Sequence, residues 1–334
     1  MKILILGGTR FVGRHLVEAG QERGHEITLF NRGLTNPRLF PDLETITGDR
    51  DGGLDGLRNR KWDSVIDTAG QLPRLVRASA TLLAGSVGHY TFVSTLSVFA
   101  DFSKSGMDEN APLQEISDPD NEEMTPELYG PHKVQCEMAA QLAFPERALI
   151  VRPGLIVGPY DETDRFTYWP HRIAKGGEVL APGRPEKQVA FIDAHDLAGW
   201  IIRLVENNQT GIFNALGPDY PLSMQAVLET CRSVSASNAS FTWVNQKFLL
   251  DENVTPWSEI PLWIPEQPEY AGFFNVNINK ALKNGLTFRP LAETIRETLT
   301  WDSTRQAYDL KAGLHSAKEQ QLLRKWHERK AEFI

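Results

Sequence analysis

Short apolar runs alternate with amphipathic segments through the first half of the chain. The runs predict buried strands at residues 2–6, 26–30, 43–47, 64–66, 90–94 and 148–151. After the first strand, Val12, Leu16, Val17 and Gly20 fall on one face of a helix, and Gly24 suits its carboxyl end. Strands that alternate with helices form right-handed crossover units and a parallel sheet. The pattern therefore predicts an α/β fold built on a doubly wound parallel sheet.

The pattern changes after residue 157. Residues 158–190 are rich in loops and carry aromatic and basic side chains. A strand that returns to the sheet, an amphipathic helix and another short strand are then predicted at 191–192, 197–204 and 211–215. We expect a charged helix over residues 316–330, with Leu322, Leu323 and Trp326 on one side.

These changes divide the chain into a larger and a smaller domain. The larger domain is expected to comprise residues 1–157, with 190–215 returning to it. The smaller, substrate-binding domain is expected to comprise residues 158–189 and 216–334. A chain of 334 residues is long enough for this arrangement.

Composition narrows the range of partners. Hydrophobic residues make up 41% of the chain and charged residues 23%, which is typical of a globular protein. The formal net charge of -8 disfavours nucleic acid as a partner, because an acidic surface repels phosphates. No apolar run approaches the roughly 20 residues of a membrane span, and the first residues are too short a run for a signal peptide. Cys136 and Cys231 lack metal-like spacing, so we expect reduced thiols, no metal site and a cytoplasmic protein.

A glycine-rich loop directly follows the first predicted strand and opens the first helix. In this position, free backbone N–H groups and the helix dipole favour a pyrophosphate, and glycine lets the phosphates approach. The loop supplies the candidate cofactor-binding residues Gly7, Thr9, Arg10, Phe11, Val12 and Gly13. Arg10 stands where a middle glycine often occurs. A plain tight turn is the alternative interpretation.

The end of the second strand indicates which dinucleotide is bound. An acidic residue there would bind the ribose hydroxyls of NAD(H), but this chain has Asn31 and Arg32. Arg32, together with Arg10, can pair with a 2′-phosphate, so NADP(H) is favoured over NAD(H). A solvated turn residue is the alternative for Arg32.

Further cofactor contacts are expected after the third, fourth and sixth strands. Asp49, beside Arg50, can accept a hydrogen bond from the adenine amino group, although a surface turn explains this segment almost as well. The remaining candidates are Thr68, Ala69, Gly70 and Pro153.

Tyr129 and Lys133 carry the candidate chemistry. Their i, i+4 spacing places them on one face of a helix predicted between the fifth and sixth strands. A cationic lysine lowers the pKa of a phenol, so the tyrosine can exchange a proton with a substrate hydroxyl or carbonyl. A hydroxyl at the end of the fifth strand, from Ser94, Thr95 or Ser97, can hold the reacting oxygen. The alternative is an ordinary helix surface.

These motifs, in this order, resemble the short-chain dehydrogenase/reductase superfamily. The Val151-Arg152-Pro153-Gly154 segment completes a pattern that is similar to the extended or atypical branch, the NAD-dependent epimerase/dehydratase family. The resemblance covers about the first 215 residues. It implies a Rossmann-like domain and catalytic roles for Thr95, Tyr129 and Lys133. It also implies hydride transfer at a hydroxyl or carbonyl carbon of a small molecule, by a reductase, dehydrogenase or epimerase.

Departures from the family pattern restrict the chemistry. Leu96 and Ser97 replace the Asp and Glu of the 4,6-dehydratases, so that reaction lacks its acid and base. Val189 stands where nucleotide-sugar members carry an arginine, which disfavours a nucleoside-diphosphate sugar. The glycine loop is also similar to that of atypical members, one of them a chloroplast RNA-binding protein. A non-catalytic module that senses a dinucleotide or binds RNA is therefore the alternative function.

Substrate contacts are expected mainly from the segment after residue 160. Candidates are Ser97, Arg165, Tyr168 and Trp169, with Arg165 and Arg172 as anion ligands and the aromatic rings as an apolar wall. Packing of the second domain is an equally good explanation for the aromatic residues. Trp257 and Trp263 suggest a lid or, more simply, packing.

The resemblance also implies a homodimer formed through helices. Its apolar faces would come from Leu82, Leu83, Val134, Met138 and Leu142. The alternative is that these residues only face the sheet.

Overall fold

The computed structural model describes residues 1–118, 121–306 and 309–331. Its strands are β1 (Lys2–Leu6), β2 (Glu26–Asn31), β3 (Glu44–Thr47), β4 (Trp62–Asp67), β5 (Val87–Val93), β6 (Ala148–Pro153), β7 (Ile156–Val157), β8 (Glu178–Pro182), β9 (Gln188–Val189), β10 (Ile192–Asp193), β11 (Gly211–Ala215), β12 (Leu222–Ser223) and β13 (Ser240–Val244). Its helices are α1 (Phe11–Glu22), α2 (Pro73–Leu83), α3 (Pro126–Ala143), α4 (Tyr168–Ala174), α5 (Ala194–Glu206), α6 (Met224–Ser235), α7 (Gln246–Asp251), α8 (Asn279–Lys283), α9 (Leu291–Ser303) and α10 (Ser316–Ala331).

The central sheet is parallel, as the alternating pattern predicts. Within the described residues it has seven strands in the order β11-β6-β5-β4-β1-β2-β3. The chain moves outward from β1 through β2 to β3, and then crosses back to β4 on the other side of β1. The strand order thus reverses between β1 and β4. In doubly wound sheets, ligands bind beyond the carboxyl ends of the strands at such a reversal.

Both faces of this sheet are covered by helices. Leu4 and Leu6 belong to a buried cluster that also contains α2 and α3 side chains such as Val76 and Ala140. On the other face, α1 and α5 pack against each other. Because neighbouring residues of a strand point to opposite faces, continuous apolar runs are what a strand covered on both sides requires. The prediction of a doubly wound α/β fold is confirmed.

The chain divides into two compact units. Unit 1 comprises Met1–Leu155, Ala194–Leu216 and Asn275–Thr287, and unit 2 comprises Ile156–Asp193, Gly217–Phe274 and Phe288–Ile334. The return of residues 275–287 to unit 1 has no counterpart in the sequence-based division, which placed them in the second domain. In unit 1, α8 lies in this segment and packs near β11.

Unit 2 contains small sheets and several helices. Strand β13 pairs with β8 in parallel, and β12 pairs with β9 in antiparallel fashion. Strand β10 pairs with β7 in another two-stranded sheet, so the prediction that 191–192 returns to the central sheet is wrong. A two-residue strand pairs only over its own length, and apolar content alone cannot indicate its partner. Among the described residues, no helix combines the length and apolarity needed to cross a membrane.

Candidate functional site

The glycine loop has a backbone conformation that only glycine adopts readily. Gly7 and Gly8 have φ values of +114° and +95°. A Cβ atom on Gly13 would lie 2.7 Å from the Gly8 nitrogen, so the first turn of α1 packs directly on the loop. A Cβ atom on Gly7 would lie 2.5 Å from Oγ1 of Thr68, which follows β4. The loop is thus a close-packed cradle at the point where the strand order reverses.

The amino end of α1 suits an anionic ligand. Arg10 is the N-cap residue, no side-chain hydrogen bond caps the helix, and its first turn contains no acidic residue. Free N–H groups and the helix dipole favour a phosphate at such an end. The Arg10 side chain is exposed, whereas Thr9 is buried and Phe11 and Val12 are half-buried. The cradle and the helix end together fit a dinucleotide pyrophosphate.

The segment after β2 lies beside this loop. Asn36 Nδ2 donates a 3.0 Å hydrogen bond to the carbonyl oxygen of Thr9, and Asn31 Oδ1 accepts a 2.8 Å bond from the Gly33 amide. Arg32 is exposed. The structure therefore holds Asn31 in a turn and leaves the Arg32 guanidinium at the surface at the end of β2.

Asp49 and Arg50, the two neighbouring candidates after β3, have different environments. Asp49 is exposed and accepts a 3.0 Å hydrogen bond from the Asp51 amide. Arg50 is buried, and both terminal nitrogens donate 2.7 Å hydrogen bonds to the carboxylate of Asp67 at the end of β4. Because this bidentate pair occupies the guanidinium, the Arg50 side chain is the partner of Asp67, and the contact with the adenine stays a prediction for Asp49.

The Arg50–Asp67 pair is the centre of a buried polar network. Arg50 Nη2 also donates to Ser79 Oγ at 2.6 Å, and the Tyr90 hydroxyl donates to Asp67 at 2.7 Å. Burial alone would raise the pKa of Asp67, but the Arg50 guanidinium and the hydrogen bonds from Arg50 and Tyr90 hold this pKa below its usual range. The network fastens the segment carrying Asp49 to the residues that follow β4.

Those residues, Thr68, Ala69 and Gly70, line the carboxyl end of β4. Thr68 Oγ1 donates a 3.0 Å hydrogen bond to the carbonyl of Leu6, and the Ala69 amide donates to Asp67 Oδ1 at 3.0 Å. Gly70 is buried, and a Cβ atom there would lie 2.5 Å from the Phe92 ring. The structure thus places this short segment next to both the glycine loop and β5.

Lys133 reaches the same edge of the sheet from α3. Its Nζ donates to the carbonyl oxygens of Gly70 at 2.9 Å and Val93 at 2.8 Å, and lies 4.1 Å from the centroid of the Phe92 ring. The side chain is buried, and burial lowers its pKa to about 8. The ammonium group is therefore fixed between the carboxyl ends of β4 and β5.

Tyr129 lies one turn earlier on the same helix. Helix α3 begins after Thr125, whose side chain accepts a 3.3 Å hydrogen bond from the Leu128 amide, and Pro126 occupies its first position. A Cβ atom on Gly130 would collide with the carbonyl oxygen of Ser97, so this turn packs directly on the segment after β5. The Tyr129 side chain is 36% exposed and thus accessible to a ligand.

The three candidate hydroxyls after β5 have different environments. Ser94 is buried and donates a 2.5 Å hydrogen bond to Glu137 of α3. Thr95 is half-buried, accepts a 3.1 Å bond from the Ser97 amide and donates to Ser97 Oγ at 3.2 Å. Ser97 is exposed. Since Ser94 is committed to Glu137, Thr95 and Ser97 are the hydroxyls accessible beside the first turn of α3.

The sequence analysis missed Glu137 and its ion pair with Arg152, a residue that it named only as part of a motif. Arg152 of β6 donates to Glu137 at 2.7 and 3.0 Å, and both side chains are at most 2% exposed. Together with Ser94, this ion pair fastens α3 to the ends of β5 and β6. The spacing of four residues between Lys133 and Glu137 was the available signal, because it places both on one helical face. Pro153 follows Arg152 and is buried at the end of β6.

The substrate candidates of unit 2 divide into buried and accessible residues. Tyr168 and Trp169 are at most 2% exposed, and Trp169 Nε1 donates a 2.8 Å hydrogen bond to the Pro261 carbonyl. They are core residues in this structure, which corrects the expectation that they line a ligand. Arg172 is bound to Glu319 and to two backbone carbonyls. Arg165 is half-buried and remains accessible.

Comparisons in sequence find relatives of this chain. In sequence, the chain is 24% identical over 233 residues to the human "Epimerase family protein SDR39U1", covering 65% of this chain and 75% of that protein. It is 25% identical over 238 residues to the Arabidopsis thaliana "Chloroplast stem-loop binding protein of 41 kDa b", covering 66% and 59%.

Solved structures with similar folds cover most of the chain. The UDP-N-acetylglucosamine 4-epimerase from Bacillus cereus has a TM-score of 0.68 at 17% identity, covering 93% of this chain and 99% of that one. Human SDR39U1, isoform 2, with NADPH has a TM-score of 0.61 at 19% identity, covering 90% and 99%. Residues 3–215 match the model of the NAD dependent epimerase/dehydratase family. With the greater part of its length matched, this chain belongs to the NAD dependent epimerase/dehydratase family.

Proposed function

We propose that this protein is an NADP(H)-preferring oxidoreductase or epimerase of the short-chain dehydrogenase type. It acts at a hydroxyl or carbonyl carbon of a small molecule, with Tyr129, Lys133 and Thr95 as catalytic residues. One observation carries the proposal: the Lys133 ammonium is fixed at the carboxyl ends of β4 and β5, one helical turn from an accessible tyrosine. In doubly wound sheets, ligands bind beyond the carboxyl ends of the strands.

The residues around the glycine loop fit a nicotinamide dinucleotide. Gly7, Gly8 and Gly13 form the cradle, the free amino end of α1 suits the pyrophosphate, and Asp49 is available to the adenine. When bound, the dinucleotide supplies the donor or acceptor of hydride. Arg10 and Arg32 are exposed cations and suit a 2′-phosphate. Human SDR39U1 holds NADPH, whereas other structural neighbours hold NAD, so the proposed preference for NADP(H) rests on Arg10 and Arg32.

The three catalytic side chains have distinct roles. The Tyr129 hydroxyl exchanges a proton with the reacting oxygen of the substrate, and Thr95 holds that oxygen by a hydrogen bond. An ammonium has three N–H donors, and Lys133 uses two of them on backbone carbonyls. Within the part of the chain that the structure describes, the third is left for a ligand or for the Tyr129 oxygen, whose ionised form a nearby cation stabilises. Glu137 and Arg152 position the helix that carries the pair.

The structure gives no support for a nucleoside-diphosphate sugar as the substrate. Val189, at the position of the family's phosphate-binding arginine, is 1% exposed and lies in β9, paired with Leu222. The substrate is therefore proposed to be a smaller molecule than those named for the Bacillus cereus neighbour.

The test combines dinucleotide titration with a screen of hydroxyl and carbonyl compounds. Wild type should bind NADPH, and Tyr129→Phe should keep that affinity while turnover falls by about 10²–10⁴. Tyr220→Phe, which removes the hydroxyl of another exposed tyrosine, is the matched control and should keep full activity. Full turnover by the Tyr129→Phe variant would contradict the catalytic assignment, and failure to bind either dinucleotide would contradict the proposal as a whole.

A second candidate is a non-catalytic module that binds RNA or senses a dinucleotide. The Arabidopsis relative, a stem-loop binding protein by name, favours it. The net charge of -8 opposes it, because an acidic protein repels the phosphates of RNA. Titration with a stem-loop RNA at two salt concentrations distinguishes the two. Tight, salt-dependent RNA binding together with absent turnover would favour this second function.

A further inference from the structure

Unit 2 carries a partly exposed aromatic surface. Trp257 and Phe273 are half-buried and in T-shaped contact, with ring centroids 5.5 Å apart. Both rings pack on Phe274, which is buried, at 6.3 and 5.1 Å. The buried Phe274 ring therefore supports two accessible aromatic rings. Accessible aromatic rings offer faces on which a planar ligand can stack.

The backbone at Trp257 is strained. Its φ is +67°, a left-handed conformation that is unfavourable for a bulky side chain. The conformation is held by a 3.1 Å hydrogen bond from the Trp257 amide to the Trp263 carbonyl. Close by, Glu259 accepts bonds from the Thr255 amide and from Lys318. Strain maintained in this way is concentrated at functional sites, where it fixes a side chain in a required position.

Arg165 adds a positioned cation to the surface. Its Nε donates a 3.1 Å hydrogen bond to Thr163 Oγ1, which in turn donates a 2.7 Å bond to the buried carboxyl of Asp161. Its guanidinium carbon lies 5.9 Å from the Trp257 ring centroid. Among the described residues, the two terminal nitrogens have no hydrogen-bond partner. In Arg172, by contrast, Nε and both terminal nitrogens are occupied.

We propose that Arg165, Trp257 and Phe273 form a binding site for a small molecule in which a carboxylate or phosphate is attached to a planar ring. The anionic group pairs with the free fork of Arg165. The ligand ring stacks on Trp257 and makes an edge contact with Phe273, because the planes of these two rings are 80° apart. Identifying this ligand class with the substrate of the enzyme rests on the proposed function, whereas the binding site itself does not.

The experiment detects the ligand at Trp257 without turnover. Protein labelled with 5-fluorotryptophan has one fluorine resonance for each of its 8 tryptophans, and Trp257→Phe identifies the resonance of Trp257. Benzoate and phenyl phosphate are titrated as probes with a ring and an anion. Benzyl alcohol supplies a neutral ring, and acetate and inorganic phosphate supply anions without a ring.

The ring anions should shift the Trp257 resonance saturably and bind more tightly than any of the other three compounds. The ring anion that binds more tightly, benzoate or phenyl phosphate, then indicates whether the ligand of this site carries a carboxylate or a phosphate. Arg165→Gln should weaken this binding by about tenfold or more, because it removes a charge-assisted bidentate contact. Arg165→Lys keeps the charge but loses the fork, so its affinity for the ring anions should lie between those of wild type and Arg165→Gln. Arg184→Gln is the control, since it removes an exposed arginine of the same unit that pairs with Glu266; its affinity should match wild type.

The outcomes separate this inference from the proposed function. If NADPH binds but no ring anion shifts the Trp257 resonance, the inference is wrong and the proposed function stands. Equal affinities in wild type and Arg165→Gln, with the other resonances unchanged, would also overturn it. If the ring anions bind and neither dinucleotide does, the site stands and the proposed function fails.

Discussion

The buried ammonium of Lys133 should make the stability of the protein depend on pH in a specific way. The free energy of unfolding is followed as the pH rises, in wild type and in Lys133→Met. This variant keeps a long side chain without the charge. Burial lowers the pKa of Lys133 from its ordinary 10.5 to about 8 in the folded chain. Between these two values the unfolded chain binds a proton that the folded chain does not, so stability rises with pH.

The size of the effect follows from the two pKa values. Below about pH 8 the desolvated charge lowers the free energy of unfolding by its full amount. Above about pH 10.5 Lys133 is neutral in both the folded and the unfolded chain, and this penalty is gone. Integrating the proton-binding difference from about pH 7 to about pH 10 gives a gain in the free energy of unfolding of about 2.5 kcal/mol. Lys133→Met should lack this contribution, while groups elsewhere in the chain titrate alike in both proteins and cancel in the comparison.

Urea unfolding at a series of pH values measures this difference. The free energy of unfolding of wild type should rise relative to Lys133→Met across the range, with most of the change above about pH 8. Parallel pH dependences in the two proteins would refute the argument that the charge is buried at a cost. In the enzyme, loss of the cation should also lower turnover as the pH rises past about 8, because the ionised phenol of Tyr129 loses its partner.

Three further predictions concern the cofactor, the assembly and the core. Arg32→Asp should reverse a preference for NADPH over NADH in fluorescence titrations; equal affinities of wild type for both would remove the NADP(H) assignment. Leu142→Glu should convert a proposed homodimer to monomers in light scattering, since Leu142 and Met138 are 79% and 48% exposed one turn apart on α3, whereas Leu83 and Val134 are buried; a monomeric wild type would count against the dimer. Trp169→Ala should lower the free energy of unfolding by about 3–5 kcal/mol, because the ring is fully buried; unchanged stability would show that Trp169 is not a core residue.

Local patterns in the sequence were sufficient to predict the sheet and the main motifs. A strand covered on both faces must be apolar throughout, so β1, β2 and β6 were visible as continuous runs. The spacing of Tyr129 and Lys133 predicts a shared helical face whatever the helix packs against. The glycine loop is similarly local, since the positive φ values of Gly7 and Gly8 depend on a turn of a few residues.

Contacts between distant segments were decided only by the tertiary structure. Arg50 is 17 residues from Asp67, and no local pattern shows that the register of the sheet brings them together as a buried pair. Ser94 and Thr95 are neighbours with the same chemistry. In the extended backbone after β5 successive side chains point to opposite sides, so Ser94 faces Glu137 and Thr95 stays accessible.

The burial of the aromatic residues of unit 2 also depends on contacts between distant segments. Nothing local to Trp169 shows that Pro261, 92 residues away, closes over its indole nitrogen. The hydrophobicity of a side chain favours its burial. Whether the side chain belongs to a core or lines a ligand site depends on which distant segment packs against it. For Tyr168 and Trp169 that segment is part of unit 2, whereas Arg165 and Trp257 keep an accessible face.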